Sequence, residues 1–163
     1  MITKRPQRLV GVSYVGYQRY FLTTCTHLRH PVFTSEALAT EAIAQLLRHA
    51  ALFEFAVLAY CVMPDHLHAL VEAESERADF TAFVKRFKQM TGFQHRKQTQ
   101  ERLWQHGYHE RTLRDEEATD AIVRYILENP IRAGLTKRLG EYRFAGSGVY
   151  DVSQLTDAWS KQT

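Results

Sequence analysis

Apolar positions recur along this chain in two rhythms, every second residue in some stretches and with a helical repeat in others. Residues 17–26 (YQRYFLTTCT) are rich in aromatic and β-branched side chains and predict a strand that Pro31 closes. Ser35 is placed to cap a helix, with Glu36 in its first turn and Leu38, Ala42, Ile43, Leu46, Leu47 and Ala50 as its apolar stripe. Phe53 to Val62 predicts a second strand, Met63-Pro64-Asp65 a tight turn, and His66 to Ala73 a third strand, so these form a hairpin. Asp79 is placed to cap a second helix that buries Phe80, Phe83, Val84, Phe87 and Met90 or Thr91. Leu103 to Tyr108 predicts a short strand with Gly107 inside it. Asp115 can cap a third helix, with Ala118, Ala121, Ile122, Tyr125, Ile126 and Asn129 on one side and Pro130 ending it. Beyond Gly134 the pattern predicts loops, with Tyr142, Phe144, Tyr150, Leu155 and Trp159 able to pack back on the body.

The order β-α-β-β-α-β, followed by one more helix, predicts an α+β, ferredoxin-like split βαβ fold. In it two helices cover one face of an antiparallel sheet. The 163 residues suit one domain over 1–163, with a core at about 14–136 and a tail over 137–163 packed on it. The composition, 45% hydrophobic and 24% charged, allows a proper core. No apolar run is long enough to span a membrane. The first residues lack the apolar stretch of a secretory signal, so the expected location is the cytoplasm. Cys25 and Cys61 lie in strand-like stretches without CxxC spacing and are expected to be buried thiols.

The net charge of +3 is mild, but its distribution is uneven. Residues 1–35 hold Lys4, Arg5, Arg8, Arg19 and Arg29 and no acid; residues 85–102 hold six basic side chains against Glu101. Such segregation suits a polyanion, although basic helix faces are often only solvated.

Three constellations can carry chemistry. In Pro64-Asp65-His66-Leu67-His68 a strand would put both histidines on one face, roughly 7 Å apart at Cα, where they could share a divalent ion. With eight histidines in the chain, this spacing also arises by chance. Tyr125 and Asn129, four apart on a helix, share a face, yet a tyrosine on an apolar stripe is often simply core. His106 and His109 are weaker metal candidates, since three residues apart on a strand they would not share a face.

These residues resemble a known family. MPDHLHALVE, a basic helix, LWQHGYHERTLRDEE and YILENPIRAGL, preceded by YFLTTCTHLRHPVF, look like the REP-associated tyrosine transposases, a single-tyrosine branch of the HUH nucleases. The resemblance spans residues 14 to 136. It implies that His66 and His68 hold a divalent metal with Asn129 as third ligand, and that Tyr125 is the nucleophile. It also implies a substrate of single-stranded DNA beside a palindromic hairpin, a nucleoid-associated role, and a monomer or homodimer. Asp65 stands where asparagine is frequent, and both suit the turn.

The chemistry is coherent. Mg²⁺ or Mn²⁺ would draw charge from the scissile phosphate, and imidazole ligands favour Mn²⁺. Free tyrosine is a weak nucleophile with a pKa of about 10, so it needs such help. Covalent attack conserves the broken bond as a 5′-phosphotyrosine, so strands are rejoined without ATP. Arg5, Arg8, Lys85, Arg86 and Lys88 are the expected phosphate contacts, and Tyr14 and Tyr17 are candidates for stacking on bases, or for core. The competing readings are a non-catalytic hairpin-binding module and a phosphoesterase that uses water and treats Tyr125 as structure.

Overall fold

The computed structural model describes residues 13–114 and 116–161. Arg5, Arg8 and the expected cap Asp115 lie outside the described residues. Five strands form one sheet: β1 (Arg19–Cys25), β2 (Phe55–Met63), β3 (His66–Ala73), β4 (His109–Leu113) and β5 (Ala145–Gly146). Their order is β4-β1-β3-β2-β5, and every neighbouring pair is antiparallel. The helices are α1 (Glu36–Leu52), α2 (Phe80–Thr99), α3 (Glu116–Arg132) and α4 (Val152–Ser160).

Strand alternation divides the interior into two layers. Tyr20, Leu22, Leu67, Ala69 and Val71 point to one face and pack with Leu46 of α1 and Phe80, Phe83 and Phe87 of α2. Cys61, Met63, Leu70 and Leu113 point to the other and pack with Val123, Ile126 and Leu127 of α3 and Trp159 of α4. Each fully buried leucine, such as Leu67, stabilises the fold by roughly 1.5–3 kcal/mol relative to exposure. The ferredoxin-like plan thus stands, with α3 and α4 added on the second face. Of the three expected caps, the two within the described residues form: Ser35 accepts from the Leu38 N–H and Asp79 from the Ala82 N–H. Cys25 and Cys61 are free and buried.

Three expectations need correction. Leu103 to Tyr108 is not a strand: only Trp104 bridges, to Thr26, and the strand lies further on at His109–Leu113. Gly107 takes a left-handed φ of 74°. The Lys88 ammonium occupies the carbonyls of Gln105 and Gly107, so the segment loops instead of pairing. Pro130 does not end α3, which runs through it to Arg132. A proline this near a helix C-terminus removes only one late donor. The stop comes at Gly134 (φ 72°), where Ala133 and Leu135 donate back to Asn129 and Pro130. The buried stripe of α3 is rotated from the expected one. It includes Val123, Ile126 and Leu127, while Ala121 is exposed.

The tail also holds more than loops. Asp151 caps α4 by accepting from the Ser153 N–H at 2.8 Å, and Trp159 is buried. Tyr142 and Leu155 pack on the α3 layer and Phe144 on the α1–α2 layer, whereas Tyr150 remains exposed. No described helix is long and apolar enough to cross a membrane.

Candidate active site

The site begins with the alternation of β3. Leu67 and Ala69 enter the α1–α2 core, which turns His66 and His68 together onto the α3 face. Their ring centroids are 4.7 Å apart, with planes at 80°. Each ring is held through Nδ1. The His66 Nδ1 lies 2.7 Å from Oδ1 of Asp65, and the His68 Nδ1 lies 2.8 Å from the Thr23 hydroxyl on β1.

Asp65 is itself anchored. Arg29 donates from Nε to Asp65 Oδ2 at 2.9 Å and from Nη1 to the Cys25 sulfur at 2.8 Å. To reach there, Leu28 and Arg29 adopt left-handed backbone, with φ of 54° and 57°, which is uncommon outside glycine. Burial works against the Asp65 carboxylate, but the His66 hydrogen bond and the Arg29 charge outweigh it and hold its pKa below the ordinary range. Burial, helped by the charges of His66, Arg29 and Arg132, pushes the His68 imidazole down to about 4. At neutral pH that ring is therefore uncharged.

Helix α3 crosses above this face. Tyr125 lies on its inner edge, 40% exposed, with its ring 5.9 Å from that of His68 and 6.0 Å from that of Phe21. The ring packs on His68 and Phe21 from below while the residue keeps a solvent-exposed side. From above, the Arg132 guanidinium stands 4.5 Å from the Tyr125 ring centroid and also donates to the Tyr125 carbonyl. Glu128 holds Arg132 at 3.3 Å. Asn129 is half-buried one helical turn, about 6 Å, beyond Tyr125.

This donor set fits a divalent cation. With a proton on each Nδ1, given to Asp65 and Thr23, both rings present an Nε2 lone pair, the arrangement usual for metal-binding histidine. Among the described residues no group of three or more His, Cys, Asp or Glu side chains is placed to hold a metal; Asn129, the expected third donor, offers an amide oxygen.

The other expected site residues are placed less uniformly. Lys85 and Arg86 are exposed on α2, on the sheet face opposite the histidines. Lys88 is half-buried and its ammonium is given to the 105–107 loop. His109 faces the α3 side in register with Thr23, but on the outer strand β4 and exposed. Tyr14 packs against Tyr20 and Phe80, while Tyr17 is 66% exposed. Sequence reasoning missed Thr23, Arg29 and Arg132. Period-2 alternation in β1 gives Thr23 the orientation of Phe21, and Arg132 lies seven residues, two turns, after Tyr125, so both were within reach of spacing arguments.

An antiparallel sheet carrying a paired-histidine strand, crossed by a helix bearing an accessible tyrosine, is the plan of a single-tyrosine HUH nuclease. The family model described as "Transposase IS200 like" matches residues 15–129, and the chain belongs to that family of HUH tyrosine nucleases. Two solved structures are similar in fold. One is a REP-associated tyrosine transposase bound to a REP hairpin, with a TM-score of 0.69 and 21% identity, covering 90% of each chain. Another is a candidate transposase from Deinococcus radiodurans, with a TM-score of 0.52 and 25% identity, covering 76% of this chain and 97% of that one. No curated protein sequence matches the chain.

Proposed function

We propose that this protein cuts and rejoins single-stranded DNA at palindromic hairpins, with Tyr125 as nucleophile in a metal-dependent reaction. The observation that carries this reading is the contact of the exposed Tyr125 with the His66–His68 pair, 5.9 Å between the Tyr125 and His68 rings. His66, His68 and Asn129 would hold Mg²⁺ or Mn²⁺, which when bound draws charge from a non-bridging phosphate oxygen and orients the phosphate.

The chain's own residues supply the remainder. Phe21, His68 and Arg132 fix the Tyr125 ring, so its hydroxyl meets the phosphate already oriented. Asp65 and Thr23 hold the imidazoles in place. The Tyr125 Oη–P bond forms as the P–O3′ bond breaks; the phenol loses its proton and the departing 3′-oxygen gains one. The products are a 5′-phosphotyrosine and a free 3′-hydroxyl, and attack by another 3′-hydroxyl reverses the steps to join strands.

The REP hairpin held by the similar transposase makes a repetitive palindromic hairpin the substrate class proposed here. Lys85 and Arg86, with Arg5 and Arg8, are the proposed phosphate contacts, and Lys88 contributes through the loop it anchors. The protein would act at the nucleoid in the cytoplasm, as a monomer or homodimer. Purified protein, labelled hairpin DNA and Mn²⁺ on a denaturing gel test the reading. Label that migrates with the protein, requires metal and disappears in His66→Ala is the expected result. Cleavage without adduct would support water as nucleophile, and binding without cleavage a hairpin-binding module.

A further inference from the structure

Arg132 stands in the last turn of α3, where the helix dipole alone favours a cation. The dipole does not account for its direction. The side chain runs back along the helix toward the residue two turns earlier. Its guanidinium lies 4.5 Å from the centroid of the Tyr125 ring and donates to the Tyr125 carbonyl. The Arg132 side chain remains 46% exposed there, and Tyr125 is 40% exposed. Ring and guanidinium are thus in contact and both open to solvent.

Charge and donors are left over at this contact. Glu128 meets Arg132 Nη1 at 3.3 Å, but its other oxygen takes Nε of Arg124 at 2.7 Å. One carboxylate between two guanidinium groups leaves a surplus positive charge, and the looser pairing leaves it on Arg132. Arg124 is held further by Trp159, whose ring centroid lies 5.6 Å from its guanidinium. The Arg132 charge also reaches the His68 imidazole, whose protonation it opposes. A guanidinium carries five N–H donors. Arg132 gives one to Glu128 and one to the Tyr125 carbonyl, so three have no partner among the described residues.

The position selects the acceptor. The Tyr125 hydroxyl lies at the rim of the ring over which Arg132 stands. A phosphate that meets this hydroxyl therefore comes within reach of the unpaired donors. Their planar fork matches two phosphate oxygens, and fixed donors aimed at a phosphoryl group act where charge develops during transfer. Holding the Tyr125 ring in place would need none of these spare donors.

We propose that Arg132 is itself a catalytic residue, whose guanidinium holds the non-bridging oxygens of the phosphate that Tyr125 attacks. The proposal rests on the strand-transfer reading above, but its main test needs no cleavage. Hairpin oligonucleotides are made with one methylphosphonate at a time in the single-stranded flank, each removing one anionic oxygen. Binding is measured with metal chelated, in Tyr125→Phe protein, which keeps the ring and leaves the DNA uncut, and in the same protein carrying Arg132→Ala. One position should weaken binding to the first protein about tenfold, the scale of a charge-assisted hydrogen bond, and leave the Arg132→Ala protein unaffected. Arg132→Lys, which keeps a cation at the helix end, should regain part of the sensitivity at that position. The parent with Mn²⁺ should cut the natural oligonucleotide at that same phosphate. If Arg132→Ala acts only by disturbing the fold or the ring, every oligonucleotide binds less well and the dependence on position is unchanged. That result overturns the proposal, as does coupling confined to a phosphate other than the one cut. A coupled phosphate in a protein that never cuts DNA would leave the phosphate site standing and remove the strand-transfer reading instead.

Discussion

The Tyr125 ring stands edge-on to the His68 ring, 5.9 Å away and inclined at 70°. This contact joins α3 to β3, so the helix that bears the proposed nucleophile is registered on the strand that bears the proposed metal donors. Its hydroxyl has no part in the ring contacts with His68, Phe21 and Arg132. Tyr125→Phe should therefore leave stability within about 0.5 kcal/mol of the parent, as for a surface change away from special features. It should abolish covalent adduct. Thermal unfolding and hairpin binding, measured on the same preparation, check that the chemistry alone disappears.

The Asp65 carboxylate orients His66 and is tied in turn to Arg29. Removing such an outer partner commonly weakens metal binding 10–100-fold. Asp65→Ala should fall in that range for Mn²⁺ by calorimetric titration. Arg29→Ala should weaken it less, because Asp65 still meets His66. Equal Mn²⁺ affinity in the parent and Asp65→Ala would remove this carboxylate from the site.

Acid should destabilise the metal-free protein through His68. Its folded-state pKa of about 4 lies below the ordinary histidine value of about 6.5, so between these the unfolded chain binds a proton that the folded one refuses. The stabilisation is fully present above pH ~6.5 and is lost as pH falls toward 4, amounting to at most ~3 kcal/mol. Denaturant unfolding in EDTA across pH 4–7 should show this slope, and His68→Asn should flatten it.

Legibility in the sequence followed physical range. Ser35, Asp79 and the alternation of β3 are local signals that nothing distant overrides, so both caps and the strand His66–Ala73 were readable directly. The loop at 103–108 was not, because what displaces it from the sheet is Lys88, from a different helix. The same interaction takes Lys88 from the set of free cations that charge counting implied. Pro130 misled because a local rule about the residue before proline was outweighed by the packing of α3 on the sheet. That His66 and His68 share a face was legible from spacing alone. The Asp65–Arg29–Cys25 chain behind it was not, since it depends on two consecutive left-handed residues, Leu28 and Arg29, that no periodicity announces.

Binding to phosphates has an ionic signature. Lys85 and Arg86 are exposed on α2 and carry the proposal from this helix. Removing one cation that touches a phosphate should lower the salt slope of single-strand binding by ~0.7. Lys85→Gln with Arg86→Gln should thus reduce it by about 1.4 if both touch DNA. An unchanged slope would assign the basic face of α2 to solvent alone.

The most direct test of the central claim is to identify the atom that carries the DNA. Protein incubated with hairpin DNA and Mn²⁺ would be digested with nuclease and protease and its peptides sequenced by mass spectrometry. A nucleotide attached through a 5′-phosphate to Tyr125, absent when metal is chelated, is the expected result. A nucleotide on any other residue, or cleaved DNA with Tyr125 unmodified throughout the time course, would contradict Tyr125 as the nucleophile.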